Sequence, residues 1–183
     1  STRDHTERMI GAFGGKIQKN GSQITITSGQ NLHSTSIKIP GDISSAAFFF
    51  VGAAITPGSS LTITNVGLNP TRTGIIDVLQ KMGANIVTEY TEKLGDEPVG
   101  KVQIEYSNLK GIQLSGEIIP RIIDEIPIVA LAATQADGVT EIRDAKELRY
   151  KETDRIKAIV TVLSKLGADI TELEDGIIIR GKS

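Results

Sequence analysis

Cysteine is absent from this chain, which excludes disulfides, thiolate metal sites and cysteine nucleophiles. Histidine is nearly absent too: His5 and His33 are the only two, too few for a multi-histidine metal centre. No apolar run approaches the ~18 residues that suggest a membrane span, and no basic-plus-apolar leader is visible. An excess of positive charge is also missing. Lys+Arg 20 against Asp+Glu 22 gives a net charge of −2, which argues for neither a nucleic-acid groove nor a basic membrane face. What remains is ordinary for a soluble globular protein: 39% apolar and 23% charged residues over 183 positions, enough to bury a core in one large domain or two small ones. A soluble, reducing, cytoplasmic setting is the expectation. Because the sequence starts at Ser1 without Met, a piece of something longer is expected.

The chain repeats itself. Phe13-Gly14-Gly15-Lys16-Ile17, Met82-Gly83-Ala84-Asn85-Ile86 and Leu166-Gly167-Ala168-Asp169-Ile170 each close a helical pattern and open a strand. The spacing predicts helices over Asp4–Phe13, Thr71–Met82 and Lys151–Leu166. A hairpin follows each, pairing Lys16–Lys19 with Gln23–Thr27, Asn85–Tyr90 with Lys101–Tyr106, and Asp169–Glu174 with Gly176–Arg180. A second half-cycle precedes the last two. Gly41-Asp42-Ile43-Ser44-Ser45 opens an apolar helix Ala46–Ile55 and the strand Leu61–Thr64; Asp124-Glu125-Ile126-Pro127 opens Ile128–Ala136 and the strand Val139–Ile142. Preceding strands are expected at Ser36–Ile39 and Ile112–Leu114, and a surface loop over Lys93–Gly100. The cycle reads strand, helix, strand, helix, hairpin, which implies α/β layers with parallel pairings. The units are 1–29, the second half of an incomplete cycle, then 30–108 and 109–183.

Lys151-Glu152-Thr153-Asp154-Arg155 carries the most chemistry. It sets Lys151 and Arg155 at i and i+4 where a helix is expected to begin. A helix N-terminus already carries about half a positive charge, so paired cations there suit a strongly anionic ligand such as phosphate or carboxylate. Glu152 adds a titratable carboxyl. The competing account is a solvated charge cluster neutralised by Glu152 and Asp154. Asp42 and Asp124 hold equivalent places in the repeat. N-capping accounts for Asp42, and Asp4 with Glu7 fits a capping box. If the cycles superpose, Asp124 lies at the same end of the layer as Lys151 and Arg155, where it could take a proton from a substrate hydroxyl.

Four stretches in order, Ser1-Thr2-Arg3-Asp4-His5-Thr6-Glu7, Gly41-Asp42-Ile43-Ser44-Ser45-Ala46, Asp124-Glu125-Ile126-Pro127 and Lys151-Glu152-Thr153-Asp154-Arg155, resemble successive signatures of the 5-enolpyruvylshikimate-3-phosphate synthase family. The resemblance implies two lobes, each of three such units in an inside-out, barrel-like α/β arrangement. Helix N-termini face a cleft that closes on two anionic substrates, shikimate 3-phosphate and phosphoenolpyruvate. It also implies transfer of the enolpyruvyl group to the 5-hydroxyl by addition and elimination, without metal or organic cofactor. By position, Asp124 matches the acid that binds the shikimate hydroxyls and accepts a proton. Glu152 matches the residue that protonates the methylene carbon, Lys151 a lysine near the transferring hydroxyl and shikimate phosphate, and Arg155 an arginine gripping phosphoenolpyruvate. Thr2 stands where the family often has a phosphate-contacting serine. His5 replaces a tyrosine of some members, and Glu147 replaces a substrate-contacting asparagine and is given no binding role.

The family's amino-terminal lysine, its serine–arginine phosphate grip, its glycine-rich loop, its histidine-arginine signature and its final lysine are not found here. The chain therefore resembles the middle of such an enzyme, expected to be inactive alone, with the remainder of the polypeptide as its natural partner and self-association through the open repeat end as a fate. Two other readings compete: a UDP-N-acetylglucosamine enolpyruvyl transferase relative, disfavoured by the missing cysteine, and a non-catalytic anion-binding repeat module.

Overall fold

The computed structural model describes residues 2–94 and 96–182; Ser1 and Gly95 of the stretches above lie outside the described residues. Among the described residues, six α-helices and nine strands follow one another along the chain. α1 (His5–Ala12), β1 (Ile17–Asn20) and β2 (Gln23–Ile26) come first. α2 (Ile43–Ile55), β3 (Ser60–Gly67), α3 (Gly74–Lys81), β4 (Asn85–Leu94) and β5 (Glu97–Glu105) follow. β6 (Gln113–Leu114), α4 (Ile119–Ile122), α5 (Ile126–Thr134), β7 (Val139–Ile142), α6 (Arg155–Lys165), β8 (Asp169–Leu173) and β9 (Gly176–Arg180) complete it.

Three separate sheets form, in the orders β1-β2, β3-β5-β4 and β6-β7-β9-β8. None of them closes into a barrel among the described residues. β3-β5-β4 and β7-β9-β8 repeat one pattern, in which the returning hairpin inserts its second strand beside the earlier strand. β6 adds a parallel neighbour to β7. The matching place beside β3 is held only by Gly41, bridged in parallel to Val66. The expected strand Ser36–Ile39 therefore does not form. The chain bonds to the outer edge of β3 only at Gly41, which pairs with Asn65 and Gly67 past an irregularity where Asn65 takes φ 57°.

α2 and α5 are apolar on nearly every face and lie against each other; α5 is enclosed, whereas α2 is covered on one side only. α2 is backed by β3 and β5, and α5 by β9 and α6. Phe50, Val51, Ile75, Leu79, Ile104, Ile122, Ile126, Ile142 and Ile177 belong to one core cluster that runs through both units. On α2 the opposite side stays open: Phe48 and Phe49 are 58% and 65% exposed. α1 contributes no buried residue.

Other boundaries move for local reasons. Lys93–Gly100 is mostly strand rather than loop, with β4 and β5 continuing through the pairs Lys93↔Pro98 and Leu94↔Glu97. Gly100 permits this, since a Cβ there would meet the Glu89 carbonyl oxygen at 2.2 Å; the glycine marks a close crossing beside a bulge. α3 starts at Gly74, later than expected, and α2 at Ile43, earlier. α6 starts at Arg155, because Asp154 caps it by accepting from the Lys157 N–H at 3.0 Å. Lys151 thus stands before the helix in extended backbone, following a 3-10 turn over Lys146–Tyr150.

Candidate active site

Asp42 behaves as the sequence suggests. Its carboxylate accepts from the Ser44 and Ser45 N–H groups at 3.2 and 3.0 Å and from the Ser45 hydroxyl at 2.9 Å. Asp4 does not cap α1. Its carboxylate turns instead to Arg8, at 2.9 and 3.1 Å, and to the Asn69 amide at 2.7 Å. Burial alone would raise the pKa of Asp4, but the Arg8 and Asn69 hydrogen bonds outweigh it and hold the group at about 2.

Asp124 also leaves the capping role. The short helix α4 intervenes, so Asp124 sits in the turn between α4 and α5, and Glu125 takes the cap position without capping. Freed from the helix, the Asp124 carboxylate faces cations. Arg3 donates a very short bond to one oxygen, and Arg155 Nη1 reaches the other at 3.3 Å. Lys151 lies near enough for its field to act on the same carboxyl. Burial pushes the Asp124 pKa up; the Arg3 hydrogen bond and the charges of Arg3, Lys151 and Arg155 more than reverse that and leave it below the ordinary value. At neutral pH Asp124 is a carboxylate, able to accept a proton.

Arg155, the first residue of α6, reaches Asp124 and also binds Glu152 Oε1 through Nη2 at 2.6 Å. Lys151 Nζ pairs with Glu147 Oε1 at 2.8 Å. Glu152 is exposed, and its own backbone amide followed by Arg155 keep its pKa below the usual carboxylate value. The Thr2 hydroxyl donates to the Thr71 carbonyl at 3.1 Å, close to the segment that delivers Arg3. Asp124, Lys151, Glu152 and Arg155 are therefore gathered in one place, and Thr2 flanks them through Thr71 and Pro120. These pairs are all partly exposed, the kind worth about 0–1 kcal/mol each. A multiply charged anion could take the cations from them at little cost.

Arg3 is the residue that sequence reasoning passed over. It occupies φ 57°, which a non-glycine residue rarely adopts, and its amide is held by the Thr71 hydroxyl at 3.1 Å. Backbone handedness and a partner 121 positions away leave no trace in a local pattern. The stretch containing Arg3 was the available signal. Below the site, Arg149 holds Asp154 at 2.7 Å and Glu172 at 3.0 Å, and takes the carbonyls of Leu173 and Glu174, so the approach to α6 is fixed to the β8–β9 hairpin. No group of three or more His, Asp or Glu residues could hold a metal ion among the described residues. No helix of the described residues is long and apolar enough to cross a membrane.

Comparison with known proteins gives the family. The family model described as EPSP synthase (3-phosphoshikimate 1-carboxyvinyltransferase) matches residues 1–183. A 3-phosphoshikimate 1-carboxyvinyltransferase of Bacillus cereus (strain G9842) is 57% identical over 182 residues, covering 100% of this chain and 42% of that protein. One from Bacillus thuringiensis (strain Al Hakam) is 56% identical with the same coverage. The chain thus spans about two-fifths of the length of the curated relatives it matches. Among solved structures, an EPSP synthase from Acinetobacter baumannii superposes with TM-score 0.94 at 47% identity, over 100% of this chain and 41% of that one. The enolpyruvyl transferase NikO from Streptomyces tendae shares the fold at TM-score 0.70 and 17% identity, over 97% of this chain and 39% of that one.

Proposed function

The chain belongs to the EPSP synthase family, and from that premise we propose that it supplies part of the active site of a transferase. That enzyme moves the enolpyruvyl group of phosphoenolpyruvate to the 5-hydroxyl of shikimate 3-phosphate. The observation that carries the proposal is the meeting of Asp124 with Arg3, Arg155 and the field of Lys151, brought from three distant parts of the chain. Both substrates are multiply anionic, so a group of cations flanked by a helix N-terminus is what binding needs.

In this reading Asp124 binds the shikimate hydroxyls and takes the proton of the attacking oxygen. That oxygen bonds to the central carbon of phosphoenolpyruvate while Glu152 gives a proton to the methylene carbon. Glu152, left as a carboxylate, then takes a proton back from the resulting methyl group as the bond to phosphate breaks and phosphate leaves. Lys151 and Thr2 hold the shikimate phosphate, and Arg155 holds phosphoenolpyruvate. The pKa directions supply a trigger. Arg3, Lys151 and Arg155 hold the Asp124 pKa down, and its own backbone amide followed by Arg155 holds down that of Glu152. Substrate anions that draw those cations away raise both pKa values, making Asp124 a better base and Glu152 a carrier of the proton it must donate. No metal or organic cofactor enters this scheme.

Units 1–29, 30–108 and 109–183 are taken as the end of one lobe and two units of the other. The remainder of the polypeptide is the natural partner, and without it copies of this chain associate through the open repeat end. Neither rival assignment has an observation in its favour. Calorimetric titration of the chain with shikimate 3-phosphate tests the site: weak, salt-sensitive binding lost in Lys151→Ala is expected, and no binding at low salt sinks the proposal. Phosphate release from both substrates should occur with the full-length polypeptide and not with residues 1–183 alone.

A further inference from the structure

Glu125, immediately after Asp124, is 2% exposed, and it is a carboxyl that the scheme above does not use. It does not cap its own helix. It accepts a very short hydrogen bond from the Ser44 hydroxyl, which lies in the first turn of α2 in the preceding unit. Ser44 Oγ accepts in turn from Arg72 Nη2 at 2.5 Å, and the same Arg72 nitrogen stands 3.6 Å from Asp42, the cap of α2. Arg72 itself belongs to the loop leading into α3, with its N–H on the Asn69 carbonyl at 2.8 Å.

A polar relay therefore runs from Arg72 through Ser44 to Glu125. It ties the start of α5 to the start of α2 where the two helices pack. The same turn faces two ways: the Glu125 side chain goes inward to Ser44, and the Asp124 side chain goes outward to Arg3 and Arg155. A buried carboxyl is costly unless it is hydrogen-bonded, so its retention here calls for an account beyond packing.

We propose that Glu125 is a positioning residue: through Ser44 and Arg72 it locks the α4–α5 turn onto α2 and thereby sets where Asp124 stands among Arg3, Lys151 and Arg155. The two neighbours are kept in different states. Burial raises the pKa of Glu125 against the opposing Ser44 bond and Arg72 charge, while the cations lower that of Asp124. Adjacent acids whose environments push them apart can hold separate duties. The site's use of Asp124 as a base rests on the function proposed above; the positioning itself does not, and it can be measured without turnover.

The direct test is a carbon-detected NMR pH titration of the Asp124 side chain in the folded chain, compared between wild type, Glu125→Ala, Glu125→Gln and Ser44→Ala. Removing a neighbouring acid without moving Asp124 can only lower its midpoint further. Loss of position draws Asp124 away from the cations and raises it. Glu125→Ala is expected to shift the midpoint upward toward the ordinary aspartate value. Ser44→Ala should shift it less in the same direction, and Glu125→Gln, whose amide oxygen still accepts from Ser44, should keep it low. An unchanged or lower midpoint in folded Glu125→Ala overturns the proposal. Should that variant not fold, an unchanged midpoint in Ser44→Ala does so. In the full-length polypeptide, Glu125→Ala should then cut kcat about ten- to a hundredfold, with KM for phosphoenolpyruvate within about twofold and Glu125→Gln restoring most of the rate. Absence of turnover in wild type would instead count against the proposed reaction, leaving the titration to decide the positioning.

Discussion

Asp42 and Asp124 open the same step of two successive units and do opposite work. Asp42 spends its carboxylate on the amides of its own helix, with Ser44 and Ser45 satisfied by it. Asp124 gives up that role because α4 pushes the turn forward, and it spends its carboxylate on Arg3 and Arg155 instead. The helix that lost its cap is short of one stabilising contact, worth about 1 kcal/mol, and the site gains an ionised acid among cations. Duplicated units can thus keep one fold while a single added turn converts a structural aspartate into one free to meet a ligand.

The contrast is most sharply broken by asparagine. In the full-length polypeptide, Asp124→Asn should lower the rate of phosphate release by about 10²–10⁴-fold, the usual reach of a general base. Asp42→Asn should stay within about threefold of wild type, since asparagine caps equally well. Equal losses at both positions would erase the distinction. Next in size, Lys151→Ala should weaken shikimate 3-phosphate binding about ten- to a hundredfold in calorimetry, as expected for one charge-assisted contact of roughly 1.5–3 kcal/mol. Alanine scanning of stability should reverse the order of the two acids. Asp42→Ala is expected to cost about 1 kcal/mol in denaturant unfolding. Asp124→Ala should cost less, because its ion pairs are partly exposed and worth about 0–1 kcal/mol.

A separate pair of predictions concerns pH. The carboxyl of Asp4 is held at about 2 against a reference of 3.8, so what it contributes to stability is present above the reference value and fades as pH falls through about 2. Glu125 runs the other way. Its raised pKa means that the folded chain binds the proton more tightly than the unfolded one, so its contribution is largest below 4.5 and declines as pH climbs through the folded value. Asp4→Asn should flatten the low-pH limb of an unfolding profile, and Glu125→Gln the limb just above it.

Much of this was legible in the sequence, for definable reasons. Helix and hairpin periods are local, so the repeat order, the Asp42 cap and the β8–β9 hairpin emerge from neighbouring residues. The Lys151–Arg155 stretch led to the surface where Asp124 meets Arg3 and Arg155, because paired cations are out of place beside a helix N-terminus. Its geometry was not legible: Asp154, not Lys151, sets the helix boundary, and that choice depends on Arg149 reaching across from the preceding 3-10 turn. Arg3 required a left-handed backbone angle and a distant acid. Glu125 carries no local signal for its role, since its burial depends on α2 packing against α5. The Ser36–Ile39 stretch was expected as a strand, but the chain meets the outer edge of β3 only at Gly41.

The attachment of α1 has one more consequence. That helix has no fully buried residue and is moored through Arg3 to Asp124, Asp4 to Asn69, His5 to Glu97 at 2.7 Å, and Arg8 to the Asp96 carbonyl at 2.8 Å. Moorings of that kind weaken with ionic strength, while an apolar interior does not. Added salt should therefore hasten amide exchange in α1 and leave α2 and α5 protected, so that one chain divides into a part governed by electrolyte and a part indifferent to it.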